Sequence, residues 1–417
     1  MGVYLINGGK KLTGSVRVQG SKNSAVAVLM ASLVIGKTVK ISNLPDISDV
    51  YDCISILKHL GCEVLYYGEN TLIINSETAA LRPIPCELLS RMRASSYLIG
   101  AQLARFGSCE TLSVGGCNFG VRPLNYHISA MEKLGAKAEN TGSSITLTAK
   151  NGLYGNVIEF TEKTVGATIN TIIAASRADG ETVIKNAARE PHVCDVCDFL
   201  NSAGAEIYGA GTDEITVKGK KELHGTEFKI SPDMIEAGTY LLAGLVSGGE
   251  IKCEDAPVGH LTAVTDVLRS MGATVKIIEN TVSAYGDALC GTEVTTEPYP
   301  GFPTDLHPQL SVLMSCAKGT STINETVFSS RFQYVSPLKQ LGMKCDSVGS
   351  KLTVYGGSGL IGTNVSATDL RGGAALILAA LSAEGTTVIG NTHFISRGYS
   401  DTVKKLTSLG ADIRYDE

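Results

Sequence analysis

The chain has 417 residues, 43% of them hydrophobic, and a formal net charge of −5 at pH 7. This length and apolar content are enough for two domains with full hydrophobic cores. The acidic balance, with a sequence pI near 5.9, argues against a nucleic-acid groove or an anionic membrane surface as the main partner. A small anionic ligand bound by a local group of basic residues remains compatible with it.

The cysteines and the first residues predict a reduced, cytoplasmic protein. Eleven cysteines is an odd number, and they are scattered along the chain, which is typical of unpaired thiols. The first residues, MGVYLINGGKKL, lack the basic and apolar regions of a secretion signal. The helix-like apolar runs are shorter than the roughly 20 residues needed to cross a bilayer, so no membrane span is expected.

A short phrase, in which an apolar residue is followed by glycine, recurs six times along the chain. Its glycines are 68 to 74 residues apart: Gly61, Gly135, Gly204, Gly272, Gly342 and Gly410. A second glycine, which ends an apolar run, precedes the first by 23 to 28 residues in each copy: Gly36, Gly107, Gly180, Gly249, Gly319 and Gly385. Two independent markers with one period indicate six repeats of about 70 residues.

In chain order, each repeat predicts an apolar helix, a glycine stop, a strand, an amphipathic helix, a glycine C-cap and one or two strands. The first helix is apolar nearly all round, as in GGAALILAALSAEG, so we expect it to be buried. The second helix, for example residues 50–60, has a polar face and should lie outward. The pattern predicts an α/β protein in which sheets surround buried helices, divided into two domains of three repeats near residue 229.

The six buried helices start with different charged residues. In chain order these are Lys22 with Asn23, Arg93, Lys163, Asp233, Asp305, and Asp369 with Arg371. The first three starts carry cations and the last three mainly carboxylates. Simple N-capping is an alternative for each single aspartate. The separation of cations in the first half from carboxylates in the second half favours a ligand-binding cleft, because helix N-termini offer free N–H groups and a positive dipole end.

Three further arginines, Arg122, Arg331 and Arg397, follow the strand after the glycine stop in their own repeats. Several converging guanidinium groups would suit a phosphate or a carboxylate, which arginine binds in bidentate fashion. Surface salt bridges are the alternative.

Other motifs point to no metal and no cofactor. The chain has no HExxH, GxSxG or GxGxxG pattern, so zinc protease, serine hydrolase and nicotinamide enzyme functions have no support. Cys194 and Cys197 form a single CxxC pair, whose spacing fits two neighbours on one helix face. We therefore expect these thiols to be structural.

Cys117 is in a different context from the other cysteines. It lies among three glycines in VGGCNFGVRP, and Arg122 follows closely. A nearby cation tends to lower the pKa of a thiol, which gives a reactive group. The residues alone leave open whether this thiol acts as a nucleophile, an acid or a redox sensor.

Along essentially its whole length the sequence resembles the UDP-N-acetylglucosamine 1-carboxyvinyltransferases, also called UDP-N-acetylglucosamine enolpyruvyl transferases. The motifs that carry the resemblance are LTGSVRVQGSKNSAV, MRASSYLIGAQLARFG, GGCNFGVRPLNYHI, VGATINTI, NAAREP, FPTDLHPQ, ETVFSSRF, ATDLRGGAALILAAL and ISRGY. The resemblance implies two inside-out α/β domains, each of three βαβαββ-type repeats around buried helices. It places residues 21–229 in one domain and residues 1–20 with 230–417 in the other, with the active site in the interdomain cleft.

The resemblance also implies an activity: transfer of the enolpyruvyl group of phosphoenolpyruvate to the 3'-hydroxyl of UDP-N-acetylglucosamine, with release of phosphate. Cys117 resembles the general acid that protonates C3 of phosphoenolpyruvate and is alkylated by the inhibitor fosfomycin. Asp305 resembles the base that accepts the proton of the 3'-hydroxyl, and Asp369 belongs to the same catalytic surroundings. No metal or other cofactor is required, and a monomer is expected.

Binding roles follow from the same motifs. Lys22, Arg122 and Arg397 would bind the phosphate and carboxylate of phosphoenolpyruvate, with Arg93, Arg331 and Arg371 in support. The positions that match contacts to the nucleotide sugar are Asn23, Arg122, Pro123, Leu124, Thr164, Val165, Asp305 and Val327. Where many members have a lysine, this chain has Glu162, with Lys163 one place later. Ser48 occupies a position that is lysine in some members.

Two alternatives remain. The related 3-phosphoshikimate 1-carboxyvinyltransferases transfer the same group to another acceptor, but their GNAGTAMR loop is absent here and the cysteine loop stands in its place. A regulatory paralogue that binds nucleotide sugar without turnover is the other; the presence of Lys22, Cys117, Asp305 and Arg397 argues against it.

Overall fold

The computed structural model describes residues 2–91, 93–112, 124–140, 144–328 and 331–417. The chain divides into two compact units. The N-terminal unit comprises residues 20–231, and the C-terminal unit comprises residues 1–19 together with 232–417.

The apolar and the amphipathic helices predicted for the repeats both occur among the α-helices of the described residues. In chain order they are α1 (Lys22–Ile35), α2 (Ser48–His59), α3 (Cys86–Arg91), α4 (Leu98–Phe106), α5 (Asn125–Lys133), α6 (Val165–Ala175), α7 (Pro191–Ser202), α8 (Met234–Val246), α9 (Thr262–Ser270), α10 (His307–Cys316), α11 (Val335–Gln340), α12 (Leu370–Ser382) and α13 (Thr402–Ser408). Short 3₁₀ helices span Arg93–Tyr97, Val258–His260 and Thr392–Arg397.

The strands are short, three to five residues each. In chain order they are β1 (Val3–Asn7), β2 (Thr13–Arg17), β3 (Thr38–Ser42), β4 (Glu63–Tyr66), β5 (Leu72–Asn75), β6 (Ser108–Leu112), β7 (Lys137–Asn140), β8 (Ser144–Thr148), β9 (Val157–Glu159), β10 (Glu181–Lys185), β11 (Glu206–Tyr208), β12 (Glu214–Lys218), β13 (Thr226–Lys229), β14 (Glu250–Glu254), β15 (Thr274–Ile278), β16 (Thr281–Tyr285), β17 (Glu293–Thr295), β18 (Thr320–Asn324), β19 (Lys344–Val348), β20 (Lys351–Tyr355), β21 (Asn364–Ser366), β22 (Thr386–Gly390) and β23 (Asp412–Asp416).

The predicted six repeats are confirmed by the geometry of their glycines. All six phrase glycines, from Gly61 to Gly410, have φ between 92° and 99°, a region that favours glycine. The N–H after each one donates to a carbonyl five residues earlier, for example Cys62 to Leu57 at 3.0 Å. This is the Schellman ending of the amphipathic helix, and it turns the chain into the next strand.

The stop glycines are confirmed in five repeats and shifted by one residue in the fourth. Gly36, the C-cap of α1, has φ 68°. In the fourth repeat the positive φ belongs to Gly248, at 67°, and not to the predicted Gly249. Gly249 is needed for a different reason: a Cβ there would lie 1.8 Å from the carbonyl oxygen of Leu12.

Five small sheets of four strands and one of three strands surround the apolar helices in the described residues. In each four-stranded sheet one edge strand runs parallel to its neighbour and the remaining pairs are antiparallel, as in the order β11-β12-β10-β9. The parallel pair is joined by a buried helix, here α6, which is a βαβ connection. The mixed α/β class predicted from the sequence is therefore confirmed.

The N-terminal residues complete two sheets of the C-terminal unit. β1 pairs antiparallel with both β22 and β23, and β2 pairs parallel with β14. In the N-terminal unit, the late strand β13 pairs parallel with β3. β2 and β13 are therefore edge strands, and the other strands of their sheets lie far away in the sequence.

The apolar helices are buried as predicted. Every residue from Ser24 to Ile35 in α1 is buried, and so is every residue from Arg371 to Leu381 in α12. The second helix of a repeat buries one face only; α9 buries Val264, Thr265 and Leu268. Each unit has its own hydrophobic cluster. Within the described ranges, no helix has the length and apolarity of a membrane span.

Candidate active site

Lys22 lies at the start of the first buried helix. Ser21 caps α1 by accepting the N–H of Ser24 at 3.3 Å, and Lys22 and Asn23 follow as the first two helical residues. The ammonium of Lys22 lies 2.9 Å from Oδ2 of Asp49, and their side chains are only 13% and 2% exposed. The sequence did not single out Asp49, which holds a candidate substrate-binding cation in a fixed place.

The other described candidates of the N-terminal unit also lie at helix starts. Arg93 is the first residue of a 3₁₀ helix, Leu124 immediately precedes α5, and Thr164 and Val165 form the start of α6. Lys163 is paired with Asp213, and Glu162 beside it is exposed. Ser48 is the first residue of α2, next to Asp49. Cys117, Arg122 and Pro123 lie outside the described residues.

Asp305 is the centre of the charged group in the C-terminal unit. Its Oδ1 lies 2.7 Å from Nη1 of Arg331, and its Oδ2 lies 2.9 Å from Nη2 of Arg371. Nε of Arg371 also donates to Oδ2 at 3.1 Å. The arginine side chains are 6% and 4% exposed, whereas that of Asp305 is 25% exposed. The carboxylate is thus the accessible member of the group.

The charges around Asp305 determine its protonation state. Burial alone would raise the pKa of Asp305, but the charges of Arg371 and Arg331 and their hydrogen bonds outweigh burial and hold this pKa well below its usual range. Burial would likewise lower the pKa of Arg371, and Asp305 reverses the effect, so that its pKa is raised. Asp305 is therefore fully ionised, and it is a weak proton acceptor as long as both arginines bind it.

A second buried carboxylate supports this group. Glu325, 1% exposed, accepts hydrogen bonds from the backbone N–H groups of Val327 and Phe328 and from the hydroxyl of Thr304, each at 2.7 Å. The Thr304 hydroxyl in turn accepts from Nη1 of Arg331 at 3.0 Å. Glu325 thus fixes the start of the loop that carries Val327 and Arg331.

His307, the first residue of α10, completes the support. It is fully buried, with Nε2 3.1 Å from Glu325 and Nδ1 3.0 Å from the hydroxyl of Tyr334. Burial lowers the pKa of His307, so the imidazole is neutral near pH 7. Burial would raise the pKa of Glu325, but His307, the Phe328 N–H and Thr304 lower it to about 2. Neither residue stood out in the sequence, although both lie within quoted motifs, FPTDLHPQ and ETVFSSRF.

Asp369 and Asp233 have the capping role that was the alternative at the sequence level. Asp369 accepts the N–H groups of Arg371 at 2.9 Å and Gly372 at 3.0 Å. Asp233 accepts those of Ile235 at 2.7 Å and Glu236 at 3.2 Å. Asp369 is nevertheless next to the charged group, because the backbone that it caps belongs to Arg371.

Arg397 ends the 3₁₀ helix Thr392–Arg397, and the segment after it contacts the same group. The hydroxyl of Tyr399 accepts a hydrogen bond from Nη1 of Arg371 at 3.3 Å. The structure thus brings together Asp305, Arg331, Arg371 and Asp369. Such a group can bind an anionic ligand through its guanidinium groups and present a carboxylate as a base.

Comparisons with known proteins show the family of this chain. The family model of EPSP synthase (3-phosphoshikimate 1-carboxyvinyltransferase) matches residues 6–406. The UDP-N-acetylglucosamine 1-carboxyvinyltransferase 1 of Streptococcus agalactiae is 43% identical over 416 residues, covering 99% of each chain. The UDP-N-acetylglucosamine 1-carboxyvinyltransferase of Clostridium botulinum is 44% identical over 413 residues, covering 98% of each.

Solved structures share the fold. The enolpyruvyl transferase NikO from Streptomyces tendae matches with a TM-score of 0.90 and 28% identity, over 100% of this chain and 99% of that one. EPSP synthase from Acinetobacter baumannii matches with a TM-score of 0.77 and 18% identity over the whole of both chains, which shows the fold alone. The chain therefore belongs to the EPSP synthase family of enolpyruvyl transferases and, within it, to the UDP-N-acetylglucosamine 1-carboxyvinyltransferases.

Proposed function

We propose that this enzyme transfers the enolpyruvyl group of phosphoenolpyruvate to the 3'-hydroxyl of UDP-N-acetylglucosamine and releases phosphate. This is the first committed step of bacterial peptidoglycan synthesis. The observation that carries the proposal is the ionised carboxylate of Asp305 between two buried guanidinium groups. Relatives named UDP-N-acetylglucosamine 1-carboxyvinyltransferase match the chain over 98% or 99% of its length.

The reaction proceeds by addition and elimination. The thiol of Cys117 protonates C3 of phosphoenolpyruvate, which makes C2 electrophilic. The 3'-oxygen of the sugar forms a bond to C2 while Asp305 accepts its proton. The bond between C2 and the phosphate oxygen then breaks, C3 loses a proton to regenerate the acid, and the enol ether and free phosphate result. Fixed cations stabilise the departing phosphate.

Lys22, Arg122 and Arg397 bind the phosphate and carboxylate groups of phosphoenolpyruvate, and Arg93, Arg331 and Arg371 support them. The nucleotide sugar contacts Asn23, Arg122, Pro123, Leu124, Thr164, Val165 and Val327. The buried ion pair between Lys22 and Asp49 supports the first of these roles, because it fixes the ammonium at a helix N-terminus.

Ligand binding activates the base. With both arginines bound to it, Asp305 accepts a proton poorly, because these charges hold its pKa low. An anionic ligand that takes hydrogen bonds from Arg331 or Arg371 weakens this stabilisation, so the pKa of Asp305 rises towards its ordinary value. Proton acceptance by Asp305 is therefore coupled to the presence of substrate.

Three finer points belong to the same proposal. The protein works as a monomer in the cytoplasm, where its cysteines remain thiols. The inhibitor fosfomycin alkylates Cys117. Residues 21–229 form one functional domain, and residues 1–20 with 230–417 form the other.

The product of the reaction run in deuterated water tests the proposal. We expect a nucleotide sugar with a new vinyl ether on the 3'-oxygen, identified by mass spectrometry and NMR, and deuterium in its vinyl group, because C3 gains and loses a proton. Shikimate 3-phosphate is the competing acceptor, since the matching family model is named for that activity. Formation of a shikimate enol ether instead would replace the proposed acceptor, and no product with either would support the regulatory alternative.

Fosfomycin tests the role of the thiol. Cys117→Ser is expected to reduce turnover sharply, because a hydroxyl is a far weaker acid. Cys117→Asp is expected to retain activity, since a carboxylic acid can donate the proton, and to escape fosfomycin because the alkylated sulfur is gone. The measurement is residual turnover after incubation with fosfomycin; unchanged sensitivity of Cys117→Asp would remove the thiol from this role.

A further inference from the structure

The side chain of Gln19 is fixed to the segment that follows Arg397. Its Nε2 donates to the carbonyl of Gly398 at 2.8 Å. Its Oε1 accepts from the N–H of Ser400 at 3.0 Å and from the hydroxyl of Ser400 at 2.6 Å. Gln19 is 9% exposed and Ser400 is 8% exposed. A single buried amide therefore supplies both the donor and the acceptor that hold this segment.

These bonds bracket a residue that touches the charged group. Tyr399 lies between Gly398 and Ser400, and its hydroxyl accepts from Arg371, which binds Asp305. Arg397 lies directly before the bracketed segment. Gln19 therefore affects the position of Arg397 through the backbone and that of Arg371 through the Tyr399 hydroxyl.

The backbone of Gln19 is itself anchored. Its N–H donates to Oε2 of Glu236 at 2.6 Å, and its carbonyl accepts the N–H of Asp233 at 2.9 Å. The other oxygen of Glu236, a residue 1% exposed, accepts from Nζ of Lys405 at 2.7 Å. The backbone of Gln19 is therefore anchored directly to the start of α8 and, through Glu236, to α13. It cannot shift without breaking these bonds.

We propose that Gln19 is a positioning residue for phosphoenolpyruvate binding, which acts by holding residues 398–400 and, through them, Arg397 and Tyr399. The inference rests on the proposed function, in which Arg397 binds phosphoenolpyruvate and Arg371 supports it. Gln19 touches no reacting atom. Its loss leaves the guanidinium groups present but displaced, and displacements of about 1 Å can cost roughly 100-fold in rate.

Gln19→Met tests the inference, because methionine keeps the length and volume of the side chain and removes its hydrogen bonds. We expect kcat/KM for phosphoenolpyruvate to fall about 10- to 100-fold, mainly through KM, and KM for UDP-N-acetylglucosamine to change by less than about 2-fold. Ser400→Ala removes one of the three bonds and should give a smaller loss of a few fold.

Asn201→Leu is the matched control. The amide of Asn201 also clamps a short segment, since it donates to the carbonyl of Ile207 at 2.9 Å and accepts its N–H at 2.8 Å. Asn201 lies near the end of α7, whereas the proposed ligand contacts of its repeat, Thr164 and Val165, lie at the start of α6. This variant should lose stability to a similar degree while keeping kcat/KM for phosphoenolpyruvate.

Hydrogen exchange of the peptide that spans residues 397–401 gives a readout independent of turnover. It should be faster in Gln19→Met than in wild type and unchanged in Asn201→Leu, because the Ser400 N–H loses its acceptor. Wild-type exchange, a wild-type kcat/KM, or equal losses for both substrates that parallel those of Asn201→Leu would each overturn the inference. If the wild-type enzyme were inactive while the exchange difference persisted, the proposed function would be wrong, and the contacts of Gln19 with residues 398–400 would have no role in catalysis.

Discussion

Three buried helices of the C-terminal unit have an aspartate at or just before their start, and one of the three carboxylates has a different role from the other two. Asp233 and Asp369 directly precede α8 and α12 and cap them by accepting two backbone N–H groups each. Asp305 lies two residues before α10 and binds Arg331 and Arg371 instead. The same residue type at comparable places thus stabilises a helix twice and forms a charged group once.

The start of α10 shows why this carboxylate is available. Leu306, the N-cap residue, offers no side-chain hydrogen bond, and Pro308 lies in the first turn. Proline has no N–H group, so the helix has one fewer donor to satisfy. A carboxylate released from capping can bind side chains, and here it lies between two cations that keep it ionised.

The sharpest test of this comparison is Asp305→Asn. The amide cannot accept the proton of the 3'-hydroxyl, so kcat should fall roughly 10²- to 10⁴-fold, the range typical of a lost general base. Binding of UDP-N-acetylglucosamine, measured by calorimetry, should be largely retained. Full activity of Asp305→Asn per folded molecule would remove Asp305 as the base.

Glu325→Gln tests the support of the charged group. The pKa of Glu325 is about 2 in the folded protein against an ordinary value of 4.5, so its contribution to stability is present above pH 4.5 and is lost as the pH falls from 4.5 towards 2. We expect the substitution to lower the free energy of unfolding by about 3 kcal/mol at pH 7 and by much less near pH 3.

Urea unfolding at several pH values measures this difference. Glu293→Gln is the control, because Glu293 is an exposed carboxylate that accepts a hydrogen bond from Asn324 in the same repeat. A loss for Glu325→Gln that does not vary with pH would show that the carboxylate is not held ionised by its partners.

Asp369→Asn separates capping from chemistry. Asparagine caps a helix as well as aspartate does, so the free energy of unfolding should stay within about 0.5 kcal/mol of wild type. If Asp369 belongs to the catalytic surroundings, the loss of its charge beside Arg371 should lower kcat roughly tenfold, equivalent to about 1.4 kcal/mol. Phosphate release and urea unfolding give the two values, and unchanged kcat would leave Asp369 as a cap only.

Asp233→Ala has the smallest expected effect. Loss of a cap costs about 1 kcal/mol, and the turnover of the folded enzyme should remain within about 2-fold of wild type. Thermal and urea unfolding measure the stability loss. A large fall in turnover without loss of stability would show that the three helix starts are more alike than their hydrogen bonds indicate.

The sequence predicted the repeats because each depends on local signals. The glycine after each amphipathic helix is required by a positive φ, and an apolar helix can be recognised over a dozen residues. It could not predict which aspartate caps and which binds arginines, because the partners of Asp305 lie 26 and 66 residues away in sequence. The contacts of Gln19 with Gly398 and Ser400 join residues 379 and 381 positions apart, which no local pattern indicates.

The roles proposed for the candidate site residues stay predictions, but the structure shows how some of these residues are arranged. Asp305, Arg331 and Arg371 come together in the structure, although their motifs are separate. Asp49, Glu325 and His307 were missed because their significance depends on buried partners that are distant in sequence: Lys22 for Asp49, and each other for Glu325 and His307. The predicted roles of Cys117, Arg122 and Pro123 concern residues outside the described ranges and stay predictions.

Release of phosphate from phosphoenolpyruvate by the purified enzyme is the most direct measurement, run in parallel with UDP-N-acetylglucosamine and with shikimate 3-phosphate. We predict release with the nucleotide sugar and none with shikimate 3-phosphate. Release with shikimate 3-phosphate alone, or with neither acceptor despite binding of the nucleotide sugar, would contradict the proposed function.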